Sequence, residues 1–371
     1  MTAASPTTAV AEGFFGNSAI DFEPIERAVL AVSGGGDSTA LLFLVHDYWV
    51  HTLKRDPSLL RAVTVNHGVR DEAFEEAQAV ATWCARLGIG HHEINWDGRE
   101  VKSGFQAAAR EARYEKLSAY ARSFGNAVVM TGHTLDDQLE TLLMRRQRRH
   151  DGAGMAGIAP ATLCTRRTWF VRPLLHVRRD ALRTHLRSRG LTWFDDPSNS
   201  DSAYERVRVR QNPPFECDSL LVDAYKAASL RLSNAERGAA WIRAHARLAQ
   251  DEKFGVTVRL PILAFGQPKA FVGTAHLLML VGAQTSVPNF EKVERAIAAC
   301  MKHNGASFTL SGCLLARRGE EICIIKELRN RHTGPFGFDQ LMPVWETQIL
   351  AAIDDLRAID RVPFPLFCRF G

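Results

Sequence analysis

Paired cysteines, a charged start and long apolar runs are what this chain of 371 residues lacks. Its seven cysteines, at 84, 164, 217, 300, 313, 323 and 368, include no C-x-x-C pair. That fits a reducing, cytoplasmic compartment and excludes a zinc ribbon or a disulfide framework. No apolar run approaches the roughly 20 residues needed to span a bilayer. The best, Ala40 to Leu53, is interrupted by His46 and Asp47, so no membrane partner is expected. The first basic residue is Arg27, and the start therefore lacks the n-region of a secretory signal. Residues 1–22 read as a flexible leader.

Lysine is missing from one long stretch. Between Arg145 and Arg210 there are 15 arginines, no lysine and 6 acids, a local excess of +9 in a chain whose net charge is only +5. Guanidinium forks grip phosphate oxygens bidentately, so such a field suits a polyphosphate partner; the alternative is a solvated, arginine-using surface.

The β-α rhythm of the first two hundred residues is clear. Strands are expected at 28–32, 62–66, 91–96 and 127–131, and helices at 38–50, 71–87, 104–123, 135–148 and 177–189. This predicts an α/β fold with a doubly wound, mostly parallel sheet and sites at the carboxyl ends of its strands. Asn212-Pro213-Pro214 breaks the chain. Beyond it, helices at 217–250 and 288–303 and a hairpin over 306–326 suggest a smaller, mainly helical domain. The divisions are a leader at 1–22, domains at 23–212 and 213–328, and a tail at 329–371 with no readable role.

Six residues carry the most information. Ser33-Gly34-Gly35-Gly36-Asp37-Ser38 joins the first strand to an apolar helix. Glycines let main-chain N–H groups approach an anion, and the serines add donors. In the plainer reading, Ser38 only caps the helix. The loop has no Gly-Lys-Ser/Thr ending and no G-x-G-x-x-G spacing, which excludes a Walker loop and a dinucleotide fingerprint. It resembles the pyrophosphate loop of the N-type ATP pyrophosphatases, which cleave ATP between the α- and β-phosphates.

Other strand ends hold further candidates. Asn66-His67-Gly68 could line a nucleoside pocket or be only a turn. In His133-Thr134-Leu135-Asp136-Asp137-Gln138-Leu139-Glu140, a helix beginning near Thr134 crowds three acids at its N-terminus. They are either dipole-stabilising acids or a seat for Mg²⁺ and an ammonium group; Glu140 is too far along for capping. Arg110 and Arg113-Tyr114 lie at helical spacing. Arg206, Arg208 and Arg210 alternate with valines as a basic face. His91-His92-Glu93 is not read as a metal site, because adjacent strand residues point to opposite faces.

Taken together, Ser33–Ser38, Asn66-His67-Gly68-Val69-Arg70, Arg110 to Tyr114, Gly132 to Thr141, Arg172-Pro173-Leu174-Leu175 and Asp195 to Asn199 with Arg206 and Arg210 are similar to the ordered motifs of the tRNA(Ile)-lysidine synthetases. The resemblance covers about residues 25–210. It implies an adenine nucleotide alpha-hydrolase-like catalytic domain followed by a tRNA-binding domain. It also implies a ligase that adenylates C2 of the wobble cytidine of CAU-anticodon tRNA(Ile) and lets the ε-amine of L-lysine displace AMP. ATP would sit on Ser33, Gly34, Gly35, Gly36, Asp37, Ser38, Asn66 and His67, with Mg²⁺ at Asp37. Asp136, Asp137 and Glu140 would hold lysine, with Asp37, Arg113, His133, Asp137 and Glu140 as the catalytic set. Arg145, Arg146, Arg148, Arg149, Arg206, Arg208 and Arg210 would hold tRNA phosphates. A homodimer is compatible with the resemblance.

Two blocks depart from the family pattern. Arg149-His150-Asp151-Gly152-Ala153-Gly154 replaces an Arg-Gly-Ser-Gly-like segment, and Arg206-Val207 stands where Arg-Asn is usual. The C-terminal region is also short for the family, so contacts to the tRNA body are expected to differ. A C2 thiolase would want paired cysteines, and GMP or NAD synthetase would not explain the arginine field. A non-catalytic ATP- and RNA-binding relic would be expected to lose its carboxylates first.

Overall fold

Strand β1 (Ala28–Ala31) is apolar without alternation because both of its faces are covered. Ala28 and Leu30 enter one core with helices α2 (Gly36–Asp47) and α3 (Glu72–Leu87), while Val29 enters a second core with α4 (Phe105–Ser123). A fully buried parallel strand reads as a continuous hydrophobic run for this reason. The structure is a computed structural model that describes residues 6–66, 72–96, 105–148, 152–164, 168–195, 205, 208–209, 217–251, 255–267, 269–282, 284 and 287–327.

Six strands form the first sheet, in the order β3-β2-β1-β4-β6-β5. Strands β2 (Leu60–Asn66), β3 (Gly90–Asn95), β4 (Val128–Thr131) and β6 (Thr168–Val171) run parallel with β1, and only the edge strand β5 (Ala161–Cys164) is antiparallel. The chain moves outward from β1 to β2 and β3, then returns to β4 on the other side of β1. Ala31 and Thr131 are register partners at the adjoining carboxyl ends. This reversal is the topological switch point, where α/β sheets open a crevice.

Helix α2 is apolar all round, and Thr39 to Val45 are all buried. Helix α5 (Leu135–Gln147) follows β4, and α6 (Arg179–Ser188) packs Leu182 and Leu186 into the core beside α2.

Within the segment expected to be a flexible leader, residues 6–22 are instead a packed element. Helix α1 (Pro6–Phe15) and the turn after it bury Phe15, Ile20 and Phe22 to within 3% exposure. Phe15 and Phe22 both meet Tyr48, with ring centroids 5.1 Å away in each case, so aromatic burial anchors the segment. Ser18 Oγ donates to the Pro173 carbonyl at 3.0 Å.

The chain divides into two compact units between Ala228 and Ser229, within helix α7 (Cys217–His245). In the second unit, the anticipated hairpin belongs to a five-stranded antiparallel sheet of order β7-β8-β11-β10-β9. It comprises β7 (Arg247–Asp251), β8 (Gly255–Pro261), β9 (Ser307–Leu310), β10 (Cys313–Arg318) and β11 (Glu321–Lys326). Helices α8 (Lys269–Val281) and α9 (Phe290–Met301) share its core, where Trp241, Leu278, Ile297 and Ile324 are buried.

Candidate active site

The loop after β1 closes on itself through Ser38. Its Oγ accepts from the Ser33 N–H at 3.1 Å and donates to the Gly35 carbonyl at 2.9 Å. Ser38 is therefore not the cap of α2. The N-cap is Gly35, which has no side chain to bond the first-turn amides. A helix N-terminus without a side-chain cap, at the mouth of a crevice, offers its N–H groups to an anion. Gly34 has φ +84°, a conformation that needs glycine, and the Phe194 ring lies over it. Trp193 covers Gly36 in the same way.

Beside this loop, β4 delivers the start of α5. Thr134 is its N-cap and forms a capping box with Asp137: Asp137 Oδ2 accepts from the Thr134 N–H at 2.8 Å, and Thr134 Oγ1 accepts from the Asp137 N–H at 3.4 Å. His133 precedes the helix, with Nδ1 2.8 Å from Thr131 Oγ1.

One residue unites the acids, and the sequence reading did not single it out. Arg179 opens α6. Its Nε donates to Asp37 Oδ2 at 2.8 Å, Nη2 to Asp137 Oδ1 at 3.2 Å and Nη1 to Glu140 Oε1 at 3.3 Å. Burial works against the charge of Arg179, but Asp37, Asp137 and Glu140 outweigh it and raise its pKa. For Asp37 the balance is reversed: desolvation raises its pKa despite Arg179. The second oxygen of Asp37, Oδ1, is buried with no hydrogen-bond partner among the described residues.

Asp136 does not join this group. Its Oδ2 accepts from the Arg179 backbone N–H at 2.7 Å, and Oδ1 lies 3.5 Å from Arg178, so it fixes the start of α6. Gln138 pins the following turn by bonding both the N–H and the carbonyl of Ile158.

A cleft of about 520 Å³ runs across these elements. Ser33, Gly35, Gly36, Asp37, Ser38, Asn66, Arg113, His133 and Asp137 line it, together with Arg110, Arg179 and Arg183. Gly34, Asp136 and Glu140 do not, although Glu140 reaches its edge through Arg179. Asn66 Nδ2 donates to Glu93 Oε1 at 3.0 Å. Desolvation and the neighbouring Arg110 charge lower the pKa of Arg113, so that wall of the cleft favours an anion.

The other predicted cations separate. Arg145 Nη1 donates to the Gly154 and Gly157 carbonyls, which makes it a loop clamp. Arg146, Arg148 and Arg208 are exposed, and Arg148 pairs with Glu205. His67, Arg149, Arg206 and Arg210 lie outside the described residues. His91 and His92 part company as expected for a strand, His91 meeting Thr64 Oγ1 at 2.9 Å and His92 stacking on Tyr120. Among the described residues no group of three or more His, Cys, Asp or Glu could hold a metal, and no helix is long and apolar enough to cross a membrane.

Residues 11–213 match the family model of the PP-loop domain. The chain is similar to the tRNA(Ile)-lysidine synthase of Mesorhizobium japonicum, 35% identical over 345 residues that cover 91% of this chain and 75% of the relative. It is 39% identical over 271 residues to the protein of the same name from Brucella anthropi, covering 71% and 54% of the two chains. With the one from Brucella ovis it is 45% identical over 195 residues, covering 52% and 43%. The chain thus spans three quarters of the first relative and about half of the other two.

Proposed function

Because the chain belongs to the PP-loop domain family and, within it, to the tRNA(Ile)-lysidine synthases, we propose that it ligates free L-lysine to C2 of the wobble cytidine of a CAU-anticodon tRNA(Ile), at the expense of ATP. The observation that carries this reading is a cleft in which an uncapped glycine-rich helix start meets the half-buried carboxylates of Asp37 and Asp137. Phosphates and an amine need opposite surroundings, and here they lie side by side.

In the first half-reaction the O2 oxygen of the cytidine attacks the α-phosphorus, and pyrophosphate leaves. The loop N–H groups of Ser33 to Ser38 bind the leaving group, and Arg113 offsets charge in the transition state. In the second, the lysine Nε attacks C2 and AMP leaves. Only the unprotonated amine is a nucleophile, so Asp137, Glu140 or His133 takes its proton. Asp37 fits a divalent cation, since one of its oxygens is buried without a hydrogen-bond partner among the described residues. Bound there, Mg²⁺ would neutralise pyrophosphate charge. The exposed Arg146, Arg148 and Arg208 serve the tRNA backbone, and the reaction belongs in the cytoplasm.

The test is to separate the halves. With unmodified tRNA(Ile), ATP and Mg²⁺ but no lysine, tRNA-dependent pyrophosphate release is expected; adding lysine should then release AMP. Pyrophosphate release that needs a sulfur donor in place of lysine would overturn the substrate assignment.

A further inference from the structure

A guanidinium already stands where the substrate ammonium has to go. Each side-chain nitrogen of Arg179 is committed to a different carboxylate, on Asp37, Asp137 and Glu140. The side chains of these acids are only 24%, 14% and 5% exposed. Partly and fully buried acids in a group require positive charge, and Arg179 supplies a cation that touches all three. It also belongs to the phosphate site, because its Nε contact is to the loop itself and its side chain lines the same cleft. The backbone of Arg179 is tethered by Asp136. The side chain, with several rotatable bonds, can turn about that fixed point. Arg183, one turn along α6, adds a second positive charge to the same wall.

We infer that Arg179 is a positioning residue that couples the two small substrates. When the phosphates of ATP occupy the loop, they draw the guanidinium away from Asp137 and Glu140, and those carboxylates then accept the ε-ammonium of lysine. ATP and lysine therefore bind cooperatively, and by linkage each strengthens the other by the same factor. This rests on the lysine assignment above.

The experiment is equilibrium titration of L-lysine into the full chain, with and without a non-hydrolysable ATP analogue and Mg²⁺, in the absence of tRNA. For the wild type, the analogue should tighten lysine binding about tenfold or more, within the usual range of such couplings. Arg179→Gln removes the guanidinium that the three acids share. Lysine should bind with the same affinity, within about twofold, whether or not the analogue is present. Arg179→Lys, which keeps a charge but cannot span three acids, should show a reduced coupling and serves if the glutamine variant fails to fold. Equal wild-type affinities with and without the analogue overturn the coupling, as does an undiminished coupling in either variant. Absence of lysine binding in the wild type and both variants overturns the lysine assignment itself, and this inference with it.

Discussion

Arg179 Nε lies 2.8 Å from Asp37 Oδ2, although 142 residues separate the two in the chain. The contact ties the phosphate loop after β1 to the start of α6, and through Asp137 and Glu140 it ties both to α5. Three acids that would repel one another are held together by one guanidinium.

Glu140→Gln removes one charge from the group without changing its shape. Lysine KM should rise by about tenfold or more while the KM for ATP changes little. Steady-state kinetics with tRNA saturating checks the split; an equal effect on both substrates would contradict it.

Gly132→Ala tests how closely β4 and the loop approach. A Cβ at Gly132 would stand 2.8 Å from the Asp37 carbonyl oxygen and 3.1 Å from the Ser38 nitrogen, both backbone atoms. Such overpacking costs about 1–3 kcal/mol. The variant should lose thermal stability and tRNA-dependent pyrophosphate release together.

Histidines under helix α1 make its packing sensitive to pH. His176 Nε2 donates to the Phe14 carbonyl at 2.9 Å, and the ring of His185 meets that of Phe14 edge-on. Burial lowers both pKa values from the ordinary 6.5, with Arg189 adding to the effect on His185. A lowered histidine pKa means that the unfolded chain takes up the proton first. The stability from neutral imidazoles is therefore complete above about pH 6.5 and is lost as pH falls from there through the folded values. The urea midpoint should drop between pH 7.5 and 5.5, and His185→Gln should flatten that dependence.

Arg145 and Arg146 are neighbours with different expected phenotypes. Arg145→Ala frees the Gly154 and Gly157 carbonyls and should lower stability. Arg146→Ala should leave stability within about 0.5 kcal/mol but weaken tRNA binding and reduce its salt slope by about 1. Filter binding at several salt concentrations, beside thermal melts, distinguishes the two.

Much of the catalytic half was legible because its signals are local. Buried parallel strands leave unbroken apolar runs, as at Ala28–Ala31, and Thr134 with Asp137 is a capping pair three residues apart. Arg179 was not legible. It sits in an arginine-rich stretch, and only the packing of α6 beside α2 brings it to Asp37. Helix α1 was missed because its anchors, Phe15 and Phe22, acquire meaning only against Tyr48. Strand β7, Arg-Leu-Ala-Gln-Asp, has too little apolar character to stand apart from the preceding helix. Asp136 looked equivalent to Asp137, but adjacent helical residues point about 100° apart, and only Asp137 faces the cleft.

The most direct measurement is transfer of labelled L-lysine to unmodified CAU-anticodon tRNA(Ile) with ATP and Mg²⁺, run beside Asp137→Asn. Lysine-dependent label in the wild type, reduced at least about a hundredfold in the variant, is the predicted result. No label in the wild type, with AMP formed only in the presence of another amine or a sulfur donor, would contradict the account.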